Sequence, residues 1–245
     1  MADRVARRGV SRSGGRRMTI PQRTGLLGGT FDPVHRGHVA VAEAVRKAFD
    51  LDRVLLVPAR VPPHRRAAPV APPADRFAMV KLAVDERPGV AASDLELADP
   101  TPAYTTETLQ RMLDAGEVPT QLFFITGADA FAEIATWRGY PALLDQAHFV
   151  VVSRPGHDLQ ALRRALPEVA SRFREAGLGV NPQPPDGRRT AIFSLEADTP
   201  DIASSVIRHR LSAGGAIDDL VPDGVARYIR EHHLYTPAPP GRRLA

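Results

Sequence analysis

Apolar and polar positions follow two rhythms along the chain. Runs in which nearly every position is apolar, "TGLLGG" (24–29), "RVLLVPA" (53–59), "QLFFITG" (121–127), "HFVVVS" (148–153) and "RTAIFSLEA" (189–197), have the length of buried strands. "VAASDLEL" (90–97) reads as another, giving six. Between them, apolar residues recur at helical spacing in "HVAVAEAVRKAF" (38–49), from Asp75 to about Asp85, and in "TTETLQRMLDAG", which Gly116 stops. "SSVIRHRLSAG" and "PDGVARYIREHHL", with Pro222 near its start, predict two terminal helices. Strand-then-helix order predicts an α/β fold with a doubly wound, mostly parallel sheet covered on both faces, and C-terminal helices. Residues 18–235 read as a single domain. Within it, residues 157–188, with four prolines and an arginine-rich helix, read as a peripheral insertion.

Charge changes this picture only at one end. The net charge is +4, yet residues 1–17 carry six arginines against Asp3, a balance of +5, which leaves −1 for residues 18–245. Basicity therefore belongs to a tail read as disordered, and no nucleic-acid partner is expected for the body. The tail's Arg- and Ser-rich composition also resembles a transit peptide, and Met18 offers an alternative start. The end "TPAPPGRRLA" (236–245) reads as a second disordered tail. No apolar run approaches the roughly 20 residues that span a bilayer, so no membrane partner is expected. The absence of cysteine excludes disulfides and thiolate chemistry and fits the cytoplasm. A homo-oligomer is left open.

The chemistry concentrates in "LLGGTFDPVHRGH" (26–38). In an open α/β sheet, ligands bind beyond the carboxyl ends of the strands, where the first strand places this stretch. Gly28 and Gly29 let backbone approach a ligand closely. The helix start that follows suits phosphate. His35 and His38, three apart, share a helix face and can address one ligand. A tight turn with no ligand and a two-histidine metal site are the competing readings; two ligands alone do not make a metal site, and none is expected. Near the other end, Ser204 and Ser205 before "VIRHRL" form an N-cap signature, and Arg208 offers a planar fork for two phosphate oxygens.

"GGTFDPVHRGH" closely resembles the opening motif of the nucleotidylyltransferase superfamily, whose H-x-G-H is related to the HIGH motif of class I aminoacyl-tRNA synthetases. Further motifs stand in the same order: "PPHR" (62–65), "AYTTETL" (103–109), "FFITGADAF" (123–131), "TW" (136–137), "AHFVVVSRPG" (147–156) and "IASSVIR" (202–208). Together they resemble the bacterial nicotinate-nucleotide adenylyltransferases from about Gly25 to His233. The resemblance implies a Rossmann-like nucleotidylyltransferase fold and transfer of AMP from ATP to nicotinate mononucleotide in NAD biosynthesis, with Mg²⁺ carried on the ATP phosphates. By it, His35, His38 and Arg208 act on the triphosphate. Gly28, Gly29, Thr30, Phe31, Gly127, Asp129, Ser204, Ser205 and Ile207 bind ATP. Arg65, Tyr104, Thr105, Trp137 and Arg154 bind the mononucleotide. Two departures stand out: Arg65 replaces a usual lysine, and Ala203 a usual serine whose capping role Ser204 is expected to take. An adenylyltransferase for nicotinamide mononucleotide or phosphopantetheine is the nearest alternative, although the phosphopantetheine enzymes usually lack the first histidine. A non-catalytic nucleotide sensor with a nucleic-acid-binding tail is the alternative from another class.

Overall fold

The structure, a computed structural model, describes residues 22–61, 69–97, 104–153, 159–175 and 190–236. The two expected tails, apart from Thr236, together with Arg65 and Arg154, lie outside the described residues.

Among the described residues, seven parallel strands form one sheet. In chain order they are β1 (Thr24–Gly29), β2 (Arg53–Pro58), β3 (Val90–Ala92), β4 (Leu122–Gly127), β5 (His148–Ser153), β6 (Phe173–Glu175) and β7 (Ile192–Glu196). Their spatial order is β3-β2-β1-β4-β5-β7-β6. The chain thus builds outward from β1 in one direction and then, from β4, in the other. Parallel strands carry helical crossovers on both faces, so consecutive strand residues are all buried; the six residues of β5 show this in full.

Strand alternation sorts those residues into two cores. Leu27, Phe123, Ile125, Val150 and Val152 face one side, against α1 (Arg36–Ala48), α2 (Pro73–Val84), α6 (Ser204–Ser212) and α7 (Asp223–Glu231). Leu26, Phe124, Phe149 and Val151 face the other, against α3 (Thr105–Asp114), α4 (Ala128–Ala132) and α5 (Leu159–Ala165). α1 shows the sequence logic plainly, burying Val39, Ala42, Val45 and Ala48 at three-residue steps. Arg46 and Lys47 occupy its last turn, where cations suit the helix dipole.

Three boundaries differ from the sequence reading. α2 begins at Pro73 rather than Asp75, because proline at the first helical position needs no N–H partner and has its φ already set. The strand expected over 90–97 ends at Ala92. Its polar half turns instead: Leu95 N–H donates to Ser93 Oγ at 3.4 Å and Leu97 N–H to the Asp94 carbonyl at 2.8 Å, as Ser and Asp favour. The segment 157–188 contains a seventh strand, β6, parallel to β7 at the sheet edge. Leu162, Leu166, Val169 and Phe173 of that segment are buried in the second core.

Candidate active site

The sheet reverses its direction of growth between β1 and β4, and crevices at such switch points bind ligands. A cleft of about 420 Å³ opens there, lined by Leu27 and Gly28 of β1, Ile125 to Gly127 of β4, and Val152 and Ser153 of β5. Its walls are completed by His35, Gly37, His38 and Val41 at the start of α1, by Ala128, Asp129 and Ala130 of α4, and by Thr199, Pro200 and Ile202. The volume falls within the ~300–1,000 Å³ of small-molecule sites.

The two histidines hold each other. His35 is the N-cap of α1 in extended backbone, and the His38 N–H donates to its Nδ1 at 3.3 Å. In return, the His35 N–H donates to His38 Nδ1 at 3.2 Å. The pair is a capping box built from imidazoles instead of the usual hydroxyl and carboxylate. The rings stack, centroids 3.6 Å apart and 22° from parallel. With each Nδ1 accepting, the neutral rings carry their protons on Nε2. Two N–H donors are thereby set on one face of a helix start, both on residues that line the cleft. That is an arrangement for anionic oxygen.

Gly29 has a close neighbour within the turn itself. A Cβ there would stand 2.9 Å from Phe31 Cζ. Phe31, buried with φ of +49°, lays its ring over Gly29 and meets the His38 ring edge-on at 4.9 Å. A positive φ on phenylalanine costs about 1–3 kcal/mol, which burial of the ring offsets. Gly28 lines the cleft, whereas Gly29, Thr30 and Phe31 are not among the residues lining it. Gly37, the unnamed residue between the histidines, has a close-approach role: a Cβ would meet the Pro200 carbonyl at 3.0 Å and the His35 ring at 3.1 Å.

Beneath the turn, two charged side chains tie loops together. Arg76 of α2 is fully buried. Its guanidinium donates to the carbonyls of Thr30 and Ala59 at 2.7 Å, and of Ala71 and Arg60 at 3.2 Å. It therefore clamps the ends of β1 and β2 to the approach of α2. Asp32, also buried, accepts the Val70 N–H at 2.8 Å on Oδ2, and on Oδ1 the Ala71 N–H at 3.0 Å and the Tyr235 hydroxyl at 2.8 Å. Arg208 donates to the Asp32 carbonyl at 2.6 Å and stands 3.8 Å from Oδ2.

The start of α6 corrects one expectation. Ala203, not a serine, is its N-cap, and no side chain caps it. Ser204 instead donates its hydroxyl to the Pro33 carbonyl at 2.9 Å, so it docks the helix on the turn after β1. Ser205 is exposed, and Ile207 is buried in the first core.

On the other side of the sheet, Tyr104 is the N-cap of α3 and Thr105 its first residue. The Arg138 guanidinium lies over the Tyr104 ring at 4.8 Å and pairs with Glu107 at 2.8 Å. Trp137, partly buried, meets Phe124 edge-on at 6.0 Å. Phe124 also lies under Gly28, 3.6 Å from where a Cβ would stand, so one ring links the tryptophan to the cleft. Behind α3, Thr108 donates to Glu96 at 2.5 Å, and burial pushes the Glu96 carboxyl up.

The structure thus gathers Gly28, His35, His38, Gly127 and Asp129 in one cleft. It sets Ser204 and Arg208 against the turn beside that cleft, and Tyr104, Thr105 and Trp137 around Phe124's side of the sheet. Sequence reasoning passed over Gly37, Ser153, Phe124 and Asp32. Gly37 and Asp32 stood inside the quoted motif, as a glycine between histidines and an acid before proline. Ser153 and Phe124 carried no mark within apolar strands; the Ser153 hydroxyl is buried at the cleft with no hydrogen-bond partner among the described residues.

The sequence profile of the cytidylyltransferase-like family matches residues 26–210. A protein of Symbiobacterium thermophilum named "Probable nicotinate-nucleotide adenylyltransferase" is 42% identical over 213 residues, covering 87% of this chain and 95% of that protein. One of the same name from Frankia alni is 42% identical over 209 residues, 85% of this chain and 98% of that protein. Among solved structures, the Plasmodium falciparum nicotinic acid mononucleotide adenylyltransferase complexed with NaAD superposes with a TM-score of 0.64 at 16% identity. That match covers 87% of this chain and 97% of the other and shows a shared fold.

Proposed function

The chain belongs to the cytidylyltransferase-like family and, within it, to the nicotinate-nucleotide adenylyltransferases, and from that premise we propose that it joins nicotinate mononucleotide to the AMP part of ATP. The mononucleotide phosphate attacks the α-phosphorus of ATP, forming a new P–O bond as the bond to the pyrophosphate leaving group breaks in line. Because the substrate supplies the nucleophile, the protein acts by positioning and by meeting developing charge. One observation carries this reading: the stacked histidine pair at the switch point, with both Nδ1 atoms committed to backbone N–H groups.

In this assignment the His35 and His38 Nε2–H groups meet triphosphate oxygens, and Gly28 admits the nucleotide to the end of β1. Gly127 and Asp129, where β4 passes into α4, serve the nucleotide's sugar side. Gly29, Thr30 and Phe31 act by holding the turn, and Ile207 by seating α6. Arg208, with the α6 start at Ser204 and Ser205, closes on the triphosphate from the C-terminal side. Trp137 offers a ring face to the nicotinate, and Tyr104 and Thr105 offer donors to its carboxylate. Arg65 and Arg154 are assigned to the mononucleotide phosphate. Asp129 is the one carboxylate among the described residues lining the cleft, which suits a Mg²⁺ ion that arrives on ATP and keeps phosphate and water ligands. When bound, the ion neutralises charge on the leaving pyrophosphate. A cysteine-free composition supports a reducing cytoplasm as the working compartment.

Pyrophosphate release from ATP, measured side by side with nicotinate mononucleotide, nicotinamide mononucleotide and phosphopantetheine, tests the proposal. The acid should be preferred over the amide by about 10²-fold, since each mispaired buried polar group costs about 1–3 kcal/mol. Equal kcat/KM for acid and amide, or a preference for phosphopantetheine, overturns it.

A further inference from the structure

The Asp32 carboxylate is buried, and its two oxygens accept three donors from distant parts of the chain: two backbone N–H groups at Val70 and Ala71, and the hydroxyl of Tyr235. The first two follow, in sequence, the segment that carries Arg65, and the last comes from the C-terminal end of the described fold. A fourth donor stands close by. Arg208 Nη1 is 3.8 Å from Oδ2, yet its short hydrogen bond, 2.6 Å, goes to the Asp32 backbone carbonyl. A guanidinium beside a buried carboxylate ordinarily forms the bidentate pair that fork and carboxylate geometry favour. Here it does not: Oδ1, which the second arm of such a pair would need, already accepts from both Ala71 and Tyr235.

We propose that Tyr235 is a positioning residue for Arg208: its hydroxyl fills Asp32 Oδ1, holds the carboxylate toward Val70 and Ala71, and so keeps the guanidinium from collapsing into a closed ion pair. Arg208 then spends one donor on the Asp32 carbonyl, which fixes its place beside the turn after β1, and keeps others for phosphate oxygens. Tyr235 reaches this point through a left-handed backbone, φ +63°, a conformation that costs a tyrosine energy and that the hydroxyl contact helps to offset. Burial and the Asp32 charge hold the Tyr235 phenol far above its usual range, so the ring remains a neutral donor at any working pH. The inference rests on the assignment of Arg208 to ATP.

The test is a double-mutant cycle on the full chain, read as kcat/KM for ATP at saturating nicotinate mononucleotide. Tyr235→Phe should lower kcat/KM by about tenfold, chiefly through a higher ATP KM, as coupled neighbours in one network do. Tyr235→His, which keeps a ring N–H donor, should recover part of the loss. In an Arg208→Ala background the Tyr235→Phe effect should vanish. An undiminished effect in that background, or a Tyr235→Phe protein that does not fold by circular dichroism, assigns the hydroxyl to stability alone and overturns the proposal. Wild-type kinetics in Tyr235→Phe with an impaired Arg208→Ala overturns the positioning role of Tyr235 and spares the Arg208 assignment. Wild-type kinetics in Arg208→Ala overturns both.

Discussion

His35 and His38 divide their nitrogen atoms between two tasks, the Nδ1 atoms capping α1 and the Nε2 atoms, in the proposed assignment, meeting phosphate oxygens. Spacing alone placed both on one helix face; that each also supplies the other's cap depends on ring orientations that spacing does not specify. The double role separates two kinds of loss. His38→Ala should lower kcat by about 10²–10³, the usual effect of removing one preorganised donor. It should also destabilise the fold by about 0.5–2 kcal/mol through the broken capping box. His35→Asn keeps a side-chain acceptor at the N-cap, so its melting temperature should stay within a few degrees of wild type while turnover falls like that of His38→Ala. Single-turnover AMP transfer at saturating ATP, with thermal melts of both variants, checks this. A folded His38→Ala with near-normal turnover makes the pair structural. Ser204 teaches a related lesson: a serine at a helix start suggests a cap, but Ser204 falls one position inside the helix and its hydroxyl donates to the Pro33 carbonyl instead.

At the scale of elements, α2 shows where periodicity stops being informative. Its apolar positions announced a helix, but an arginine in that pattern is ordinarily a solvated residue. Arg76 is instead enclosed and gives its guanidinium to four carbonyls from three segments. Hydrogen bonds to a charged group are worth about 1.5–3 kcal/mol each, and stranded buried carbonyls add their own cost. Arg76→Met should therefore lose more than about 3 kcal/mol, a fall of roughly 6–12 °C in Tm at the ~2–4 °C per kcal/mol of a domain this size. Arg76→Lys should recover little, since an ammonium cannot span four acceptors in a plane. Thermal melts by circular dichroism decide it; a Met variant as stable as wild type would show that the clamp contributes nothing net. β3 makes the converse point. Its alternation extended to Leu97, but local Ser and Asp turn bonds outcompeted the ladder after Ala92.

For the molecule as a whole, the buried His148 at the start of β5 sets a dependence of stability on pH. Its Nδ1 accepts the Ala191 N–H at 2.9 Å and its ring stacks on Phe123 at 4.8 Å. Burial lowers its pKa from 6.5 to about 4, with the nearby Arg23 charge adding to the shift. Above 6.5 both folded and unfolded chains hold it neutral, and pH has no effect through this group. As pH falls below 6.5, the unfolded chain takes up a proton that the fold refuses, so stability drops until the folded pKa is reached. The expected loss is about 2 kcal/mol between pH 7 and pH 5. Urea denaturation at the two pH values should show it, and His148→Gln should flatten the difference. An equal slope in the variant would assign the dependence to other groups.

What the sequence determined by itself was whatever repeats at short range or rests on one residue's own chemistry. The buried strands, the amphipathic helices, the order that makes a doubly wound parallel sheet, and the glycine and histidine spacings all belong to that class. Strand and helix periods are set by backbone geometry, and the solvation of each side chain is nearly independent of its distant neighbours. The tertiary structure alone decided which polar groups would meet: Arg76 with the ends of two strands, Asp32 with Tyr235 across 203 positions, and Ser153 with the cleft wall. Such partnerships depend on the angles at which separate elements pack. A buried donor or acceptor takes whichever partner that packing brings within about 3 Å, and nothing local in the chain records the choice.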